Sequence, residues 1–270
     1  MSVLVIGAYG NVGSNVVAGL RSAGTPVRGT SRTVEGTEPP SGVEMVRLDL
    51  EDPATLPPAL EGIKKVFLYA KPSGIAEFVT AAQAAGVEHV VLLSSASVVE
   101  EATRNSRNAH MHAVVEEALE KSGMAWTFLR PTTFASKQLG LAPRIKSGEV
   151  LRLPFLQAQS AVIHERDIAD VGVAALTRPG HEGKAYWLTG PEALSSQEQI
   201  DTIGEAIGRK IETVEVAPED AVPPMHEFFV KLTQTLMASP TTVTNDVEEA
   251  TGVPARTFRQ WAEDHVKDFS

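Results

Sequence analysis

Gly7, Gly10 and Gly13 stand three residues apart. They follow the apolar run Val3-Leu4-Val5-Ile6 and lead into a segment whose apolar positions are Val12, Val16, Val17 and Leu20. The run reads as a buried strand and the segment as a helix, so the glycines occupy a strand-to-helix turn. A diphosphate needs that arrangement: glycine lets the backbone approach phosphate oxygens, and the open N–H groups of a helix start carry partial positive charge. Gly7, Tyr9, Gly10, Asn11, Val12 and Gly13 are therefore candidate cofactor-binding residues, and the segment points to a bound dinucleotide. The spacing is G-x-x-G-x-x-G rather than G-x-G-x-x-G; the bland alternative is a glycine-rich turn without a ligand. A second set with chemical capacity is Asn108 and His112. Four residues apart, they share one helix face, and imidazole titrates near neutral pH. His110 falls on a different face, so the two histidines make a poor metal pair, and no metal site is expected.

The elements that must position these groups show in the periodicity. Apolar runs at Val3–Ile6, Pro26–Thr30, Glu44–Arg47, Val66–Tyr69, His89–Leu93 and Trp126–Leu129 alternate with helix-period stretches such as Ile75–Ala85 and Ala109–Lys121. Such alternation predicts an α/β fold, a doubly wound parallel sheet with ligands at the carboxyl ends of the strands. After Pro131 the pattern becomes irregular, with helices expected over Ile168–Thr177, Leu194–Ile207 and Thr257–Asp268, the last anchored by Phe258, Trp261 and Val266. The expected division is a dinucleotide-binding domain over 1–131, joined by about 160–180, and a smaller, partly interleaved C-terminal substrate lobe over 132–159 and 181–270.

Composition narrows the function classes. At 270 residues and 43% hydrophobic content the chain can bury a sizeable core. It contains no cysteine, which excludes disulfides, thiolate nucleophiles and cysteine-ligated metals, so any redox role falls to a bound cofactor. A net charge of −10 argues against nucleic acid as a partner. No apolar run approaches the roughly 18 residues of a membrane span, and no leader pattern precedes the first strand. A cytoplasmic protein with no membrane partner is expected.

The second strand bears on the choice of nucleotide. An acid at its end would bind the ribose hydroxyls of NAD, but the strand ends Val27-Arg28-Gly29-Thr30-Ser31-Arg32. Hydroxyls and a guanidinium suit a 2′-phosphate instead, so Ser31 and Arg32 point to NADP(H) over NAD(H). The alternative is a solvated surface arginine. Asp49, after the third strand, falls where an adenine-side contact belongs, although a turn or helix cap explains it nearly as well.

The glycine loop, the strand end Ser94-Ser95-Ala96-Ser97 and the run Glu116–Pro131 resemble the NmrA-like family, atypical short-chain dehydrogenase/reductases. Arg166-Asp167-Ile168-Ala169, Thr189–Leu194 and Thr251–Phe258 agree, so the resemblance spans nearly the full length. It implies a Rossmann-type fold, a small C-terminal lobe and NADP(H) preference. The usual catalytic Tyr-x-x-x-Lys pair is missing: of Tyr9, Tyr69 and Tyr186, none is followed four residues later by lysine. Aligned by Glu116, the helix carries Asn108 in the tyrosine's place and His112 in the lysine's. His112 then reads as a ribose-binding group, as a proton donor, or as a packed histidine without a chemical role. Ser95 falls where the family's strand-end serine meets a substrate oxygen; backbone capping is its alternative. Together Ser95, Asn108 and His112 are the candidate catalytic residues. Tyr69, Ala70 and Lys71 end the fourth strand and, with Ser94, are expected to line the cofactor groove, although Tyr69 reads equally as core with its hydroxyl at the rim. Pro131 and Phe134 follow the sixth strand as the expected nicotinamide pocket wall, with Phe134 reading first as a packing residue that shapes it.

Two functions follow. The first is NADPH-dependent hydride transfer to a small-molecule substrate, a quinone, enone or similar activated carbonyl whose reduced anion is stabilised by conjugation and does not need the missing acid. The second is a non-catalytic NADP(H) sensor acting through a protein partner.

Overall fold

The computed structural model describes residues 2–33, 42–101, 103–238 and 241–270. It divides into two compact units: Met1–Pro131 with Glu165–Leu188 and Asp246–Val253, and Thr132–His164 with Thr189–Asn245 and Pro254–Ser270.

The first unit is built on strands β1 (Ser2–Ile6), β2 (Val27–Ser31), β3 (Glu44–Arg47), β4 (Ile63–Tyr69), β5 (His89–Leu93) and β6 (Ala125–Pro131). Between them run helices α1 (Asn11–Ser22), α2 (Leu56–Leu60), α3 (Ile75–Ala85) and α4 (Arg107–Glu120). The second unit contributes α5 (Ala142–Ser147), β7 (Leu151–Leu153) and β8 (Gln159–Ser160), after which α6 (Glu165–Thr177) and β9 (Lys184–Leu188) return to the first. The chain continues through β10 (Leu194–Ser195), α7 (Ser196–Ala206), β11 (Thr213–Glu215) and α8 (Glu227–Met237) in the second unit. Then come α9 (Asp246–Thr251) in the first, and α10 (Phe258–Asp264) and α11 (Val266–Phe269) in the second.

The sheet is parallel throughout, in the order β3-β2-β1-β4-β5-β6-β9. Val3-Leu4-Val5-Ile6 of β1 and Val90-Val91-Leu92-Leu93 of β5 are apolar without a break because both faces are covered. On one face Leu4, Ile6, Val66, Leu68, Val90 and Leu92 pack with Phe78 of α3 and with Val115 and Leu119 of α4. The other face carries α1 and α6, which approach so closely that a Cβ on Gly19 would lie 2.8 Å from Val173 Cγ2. Strand order reverses between β1 and β4, and the crevice at such a switch is where ligands of this architecture sit.

The division differs in detail from the expected one. β9 and α9 fall within 181–270 but belong to the first unit, where β9 extends the sheet beside β6 and Asp246 Oδ2 accepts from Trp187 N at 2.6 Å. Residues 160–164 belong to the second unit. That unit packs Ile145, Leu151, Ile200, Ile203, Phe258, Trp261 and Phe269 into its own core. The segment Thr257–Asp268 is two helices rather than one, parted at His265 (φ −107°, ψ 13°), so Phe269 is buried and Val266 only half-buried. Leu194–Ile207 likewise yields its first residues to β10, and Ser195 closes a capping box with Glu198 at the start of α7. Among the described residues no helix is long and apolar enough to cross a membrane.

Candidate functional site

At the end of β1 the chain turns on Gly7, whose φ of +81° only glycine adopts without strain. Gly10 N donates to Gly7 O at 2.9 Å, and Gly10 itself stands in front of α1 with no side-chain cap on the helix start. A Cβ on Gly13 would lie 2.2 Å from Gly7 O, and one on Gly10 3.3 Å from the same oxygen. The first turn of α1, Asn11, Val12 and Gly13, is thereby drawn tight against the turn, its amides at the positive end of the helix. Tyr69 supports the loop from β4: a Cβ on Gly7 would touch its Cδ1 at 3.4 Å. Tyr9 is exposed at the tip. So compact a turn, closed to side chains at Gly13 by Gly7 O and fronted by the open amides of α1, makes a cradle that fits a dinucleotide diphosphate.

Gly29 was not singled out from the sequence, yet a Cβ there would lie 2.5 Å from Met45 Sδ and 3.0 Å from Ala8 Cβ. It lets β2 pass beneath the cradle. Beyond it Thr30 is fully buried with no partner for its Oγ1, so its hydroxyl does not join those offered by Ser31. Ser31 is half-buried and accepts from Thr33 N at 3.3 Å; Arg32 is exposed. Asp49 works as a turn residue, with Oδ1 accepting from Glu51 N at 3.0 Å. Ala70 N donates to Leu93 O at 3.2 Å, and Lys71 is paired with Glu51 at 2.8 Å.

At the ends of β5 and β6 the structure brings Ser95 and Asn108 together and draws Ser94 away. Ser95 Oγ accepts from Ser97 Oγ at 2.9 Å, from Ser97 N at 3.2 Å and from Asn108 Nδ2 at 3.3 Å. Asn108 Nδ2 also reaches Ser97 Oγ at 2.9 Å. Ser94 Oγ instead donates inward to Glu116 Oε1 at 2.6 Å and its N–H to Leu129 O at 2.7 Å, so its backbone carbonyl is the group it has for a cofactor. Glu116 is buried and held by Arg130 through two bonds, Nε to Oε1 at 3.0 Å and Nη2 to Oε2 at 2.6 Å. That ion pair ties α4 to β6. Both residues lie in the Glu116–Pro131 run, but fourteen positions apart along the chain nothing local announces the contact.

His112 lies one helical turn from Glu116, half-buried, with Nδ1 buried and without a hydrogen-bond partner. Burial pushes its pKa below the ordinary histidine value, and the Glu116 charge only partly opposes this. Burial thus favours the neutral, hydrogen-bonding form of the imidazole. Pro131 closes β6, buried in the first unit. Phe134 belongs to the second, where it bridges Ile163.

A family model described as NAD(P)H-binding matches residues 7–179. The (4-alkanoyl-5-oxo-2,5-dihydrofuran-3-yl)methyl phosphate reductase of Streptomyces griseus is 38% identical over 99% of both chains. An NAD(P)H azoreductase of Xenophilus azovorans is 32% identical over 99% of both. Among solved structures, a triphenylmethane reductase of Citrobacter sp. superposes with a TM-score of 0.81 at 22% identity, over 99% of this chain and 100% of that one. The NADPH-dependent quinone oxidoreductase of Escherichia coli, complexed with NADPH, does so at 0.77 and 21%, over 97% and 99%. These structural likenesses show the fold. The chain belongs to the NAD(P)H-binding family, in its NmrA-like, atypical short-chain dehydrogenase/reductase branch.

Proposed function

From its membership in the NAD(P)H-binding family, we propose that this protein is an NADPH-dependent reductase of conjugated acceptors, quinones, enones or similarly activated carbonyls. The observation that carries the reading is the character of the β5–α4 site. Ser95 Oγ receives hydrogen bonds from Ser97 and Asn108, so its own proton is available to an acceptor oxygen. Nothing in this set is an acid poised to protonate a simple alkoxide, and burial disfavours the charged form of His112. Conjugation must then stabilise the charge left on the acceptor, with water supplying the proton.

The cofactor supplies the hydride; the chain's residues hold, orient and shield. The Gly7–Gly13 turn and the first amides of α1 take the diphosphate, while Ser31 and Arg32 take the 2′-phosphate. Tyr69, Ala70, Lys71 and the Ser94 backbone line the groove. Pro131 walls the nicotinamide side, and His112 offers its imidazole to the adjoining ribose. The names of the relatives support an activated acceptor: an azo compound for one, and for the other a ring alkene conjugated to two carbonyls.

The test is NADPH oxidation, followed by absorbance, against a panel of quinones and enones with NADH in parallel. Turnover with NADPH on a conjugated acceptor, and none on simple ketones, is expected. Tight NADPH binding with no turnover on any acceptor would favour the sensor reading instead.

A further inference from the structure

Glu51, Lys71 and Ser73 meet where the loops after β3 and β4 press together. Lys71 Nζ is 2.8 Å from Glu51 Oε2 and 3.8 Å from Asp49 Oδ1. Ser73 Oγ donates to Glu51 Oε1 at 2.8 Å. The loops are packed so closely that a Cβ on Gly74 would lie 1.8 Å from Leu50 O. Hydrogen bonds from Lys71 and Ser73 hold the Glu51 carboxyl below its ordinary pKa, and the charges of Lys71 and Arg32 act in the same direction.

We propose that Glu51 is an internal counter-anion at the adenosine end of the site: it competes with the cofactor's 2′-phosphate for Lys71, and so limits how strongly NADPH is preferred over NADH. The inference rests on the reading of these strand ends as the nucleotide site.

The charges argue for it. Lys71 stands against two carboxylates, Glu51 at 2.8 Å and Asp49 at 3.8 Å, so its charge is already met within the protein. A 2′-phosphate dianion gains from Lys71 and is repelled by the carboxylates. A plain ribose behaves in the opposite way, since its hydroxyls are donors and a carboxylate is a good acceptor for them. Glu51 therefore works against NADPH and for NADH. Its side chain is 55% exposed and that of Lys71 21%, so the pair opens at little cost. Its effect is a graded bias on affinity.

The experiment is calorimetric titration with 2′,5′-ADP and 5′-AMP, which differ only in the 2′-phosphate and need no turnover. In Glu51→Gln, 2′,5′-ADP should bind about three- to tenfold more tightly, while 5′-AMP stays unchanged or weakens. In Lys71→Met, 2′,5′-ADP should weaken about tenfold with little change in 5′-AMP. An unchanged ratio of the two ligands in Glu51→Gln, or a parallel loss of both, would overturn the role of Glu51 and leave it as a fastener between loops. Failure of the wild-type protein to bind either ligand would instead overturn the nucleotide-site reading beneath it.

Discussion

At the amino edge of the seven-stranded sheet, His89 Nε2 lies 2.9 Å from Thr127 Oγ1. That hydroxyl donates to His181 O at 2.7 Å, and His181 Nδ1 meets the Tyr186 hydroxyl at 2.8 Å. At the carboxyl edge Ser95, Ser97 and Asn108 form a comparable small network, one helical turn from His112. The residue types at the two edges are similar, but their exposure differs. His89, His181 and Tyr186 are sealed in the interior, and burial lowers the His89 pKa to about 4. Ser95 and His112 are only half-buried. A histidine or hydroxyl does structural work where packing closes over it and becomes available to a ligand where the strand ends leave it an opening.

The contrast breaks most sharply if the glycine cradle tolerates a side chain. Gly10→Val places its Cβ 3.3 Å from Gly7 O, close enough for the fold to adjust, while its methyls take phosphate space. Loss of measurable NADPH and NADH binding in a fluorescence titration, with a melting temperature close to wild type, is expected; normal affinity would sink the cradle assignment.

The amino edge is tested by pH. Between pH 6.5 and about 4 the unfolded chain protonates His89 and the folded chain does not. Its contribution is thus complete above pH 6.5 and is lost as the pH falls toward the folded-state value, on the order of 3 kcal/mol. Lys65 and His181 add to the lowering and Glu182 opposes it. Urea denaturation of His89→Gln across this window should show about one proton fewer taken up on unfolding. An identical slope in both proteins would mean that this edge is less tightly sealed than its packing implies.

A smaller effect sharpens the carboxyl side. Arg32→Ala should weaken NADPH about tenfold and leave NADH within about twofold, because only the former carries the 2′-phosphate. Equal losses would show that Arg32 does not read that group. Smallest is His112→Ala, expected to lower kcat on a quinone by less than about tenfold. With the histidine pKa held down by burial, wild-type kcat should stay level as the pH falls from 8 to 6.5. A rise over that range, absent from His112→Ala, would make His112 the proton donor.

Much of the first unit was legible because its signals are local. The six strands expected before Pro131 all form, and α3 spans Ile75–Ala85 as the periodicity predicts. β9 was not legible: Lys184–Leu188 is five residues long, stands in an irregular region and is a strand only because β6 lies beside it. The break at His265 escaped for a related reason, since the apolar spacing of Phe258, Trp261 and Val266 continues across it. At the site, the glycine turn could be read and Gly29 and Gly74 could not, because their need for a missing Cβ arises from Met45 and Leu50 on other strands and loops.

The sequence by itself determined the alternation of strand and helix, the strand–glycine–helix turn and the absence of a tyrosine–lysine pair. Each depends on residues within a few positions of one another, where spacing and backbone conformation decide the outcome. Only the tertiary structure decided that Ser94 turns to the Glu116–Arg130 pair, that Asn108 supports Ser95, that burial favours the neutral form of His112 and that Glu51 faces Lys71. Those outcomes depend on distance and burial, which strand order sets by bringing together groups that the chain keeps far apart.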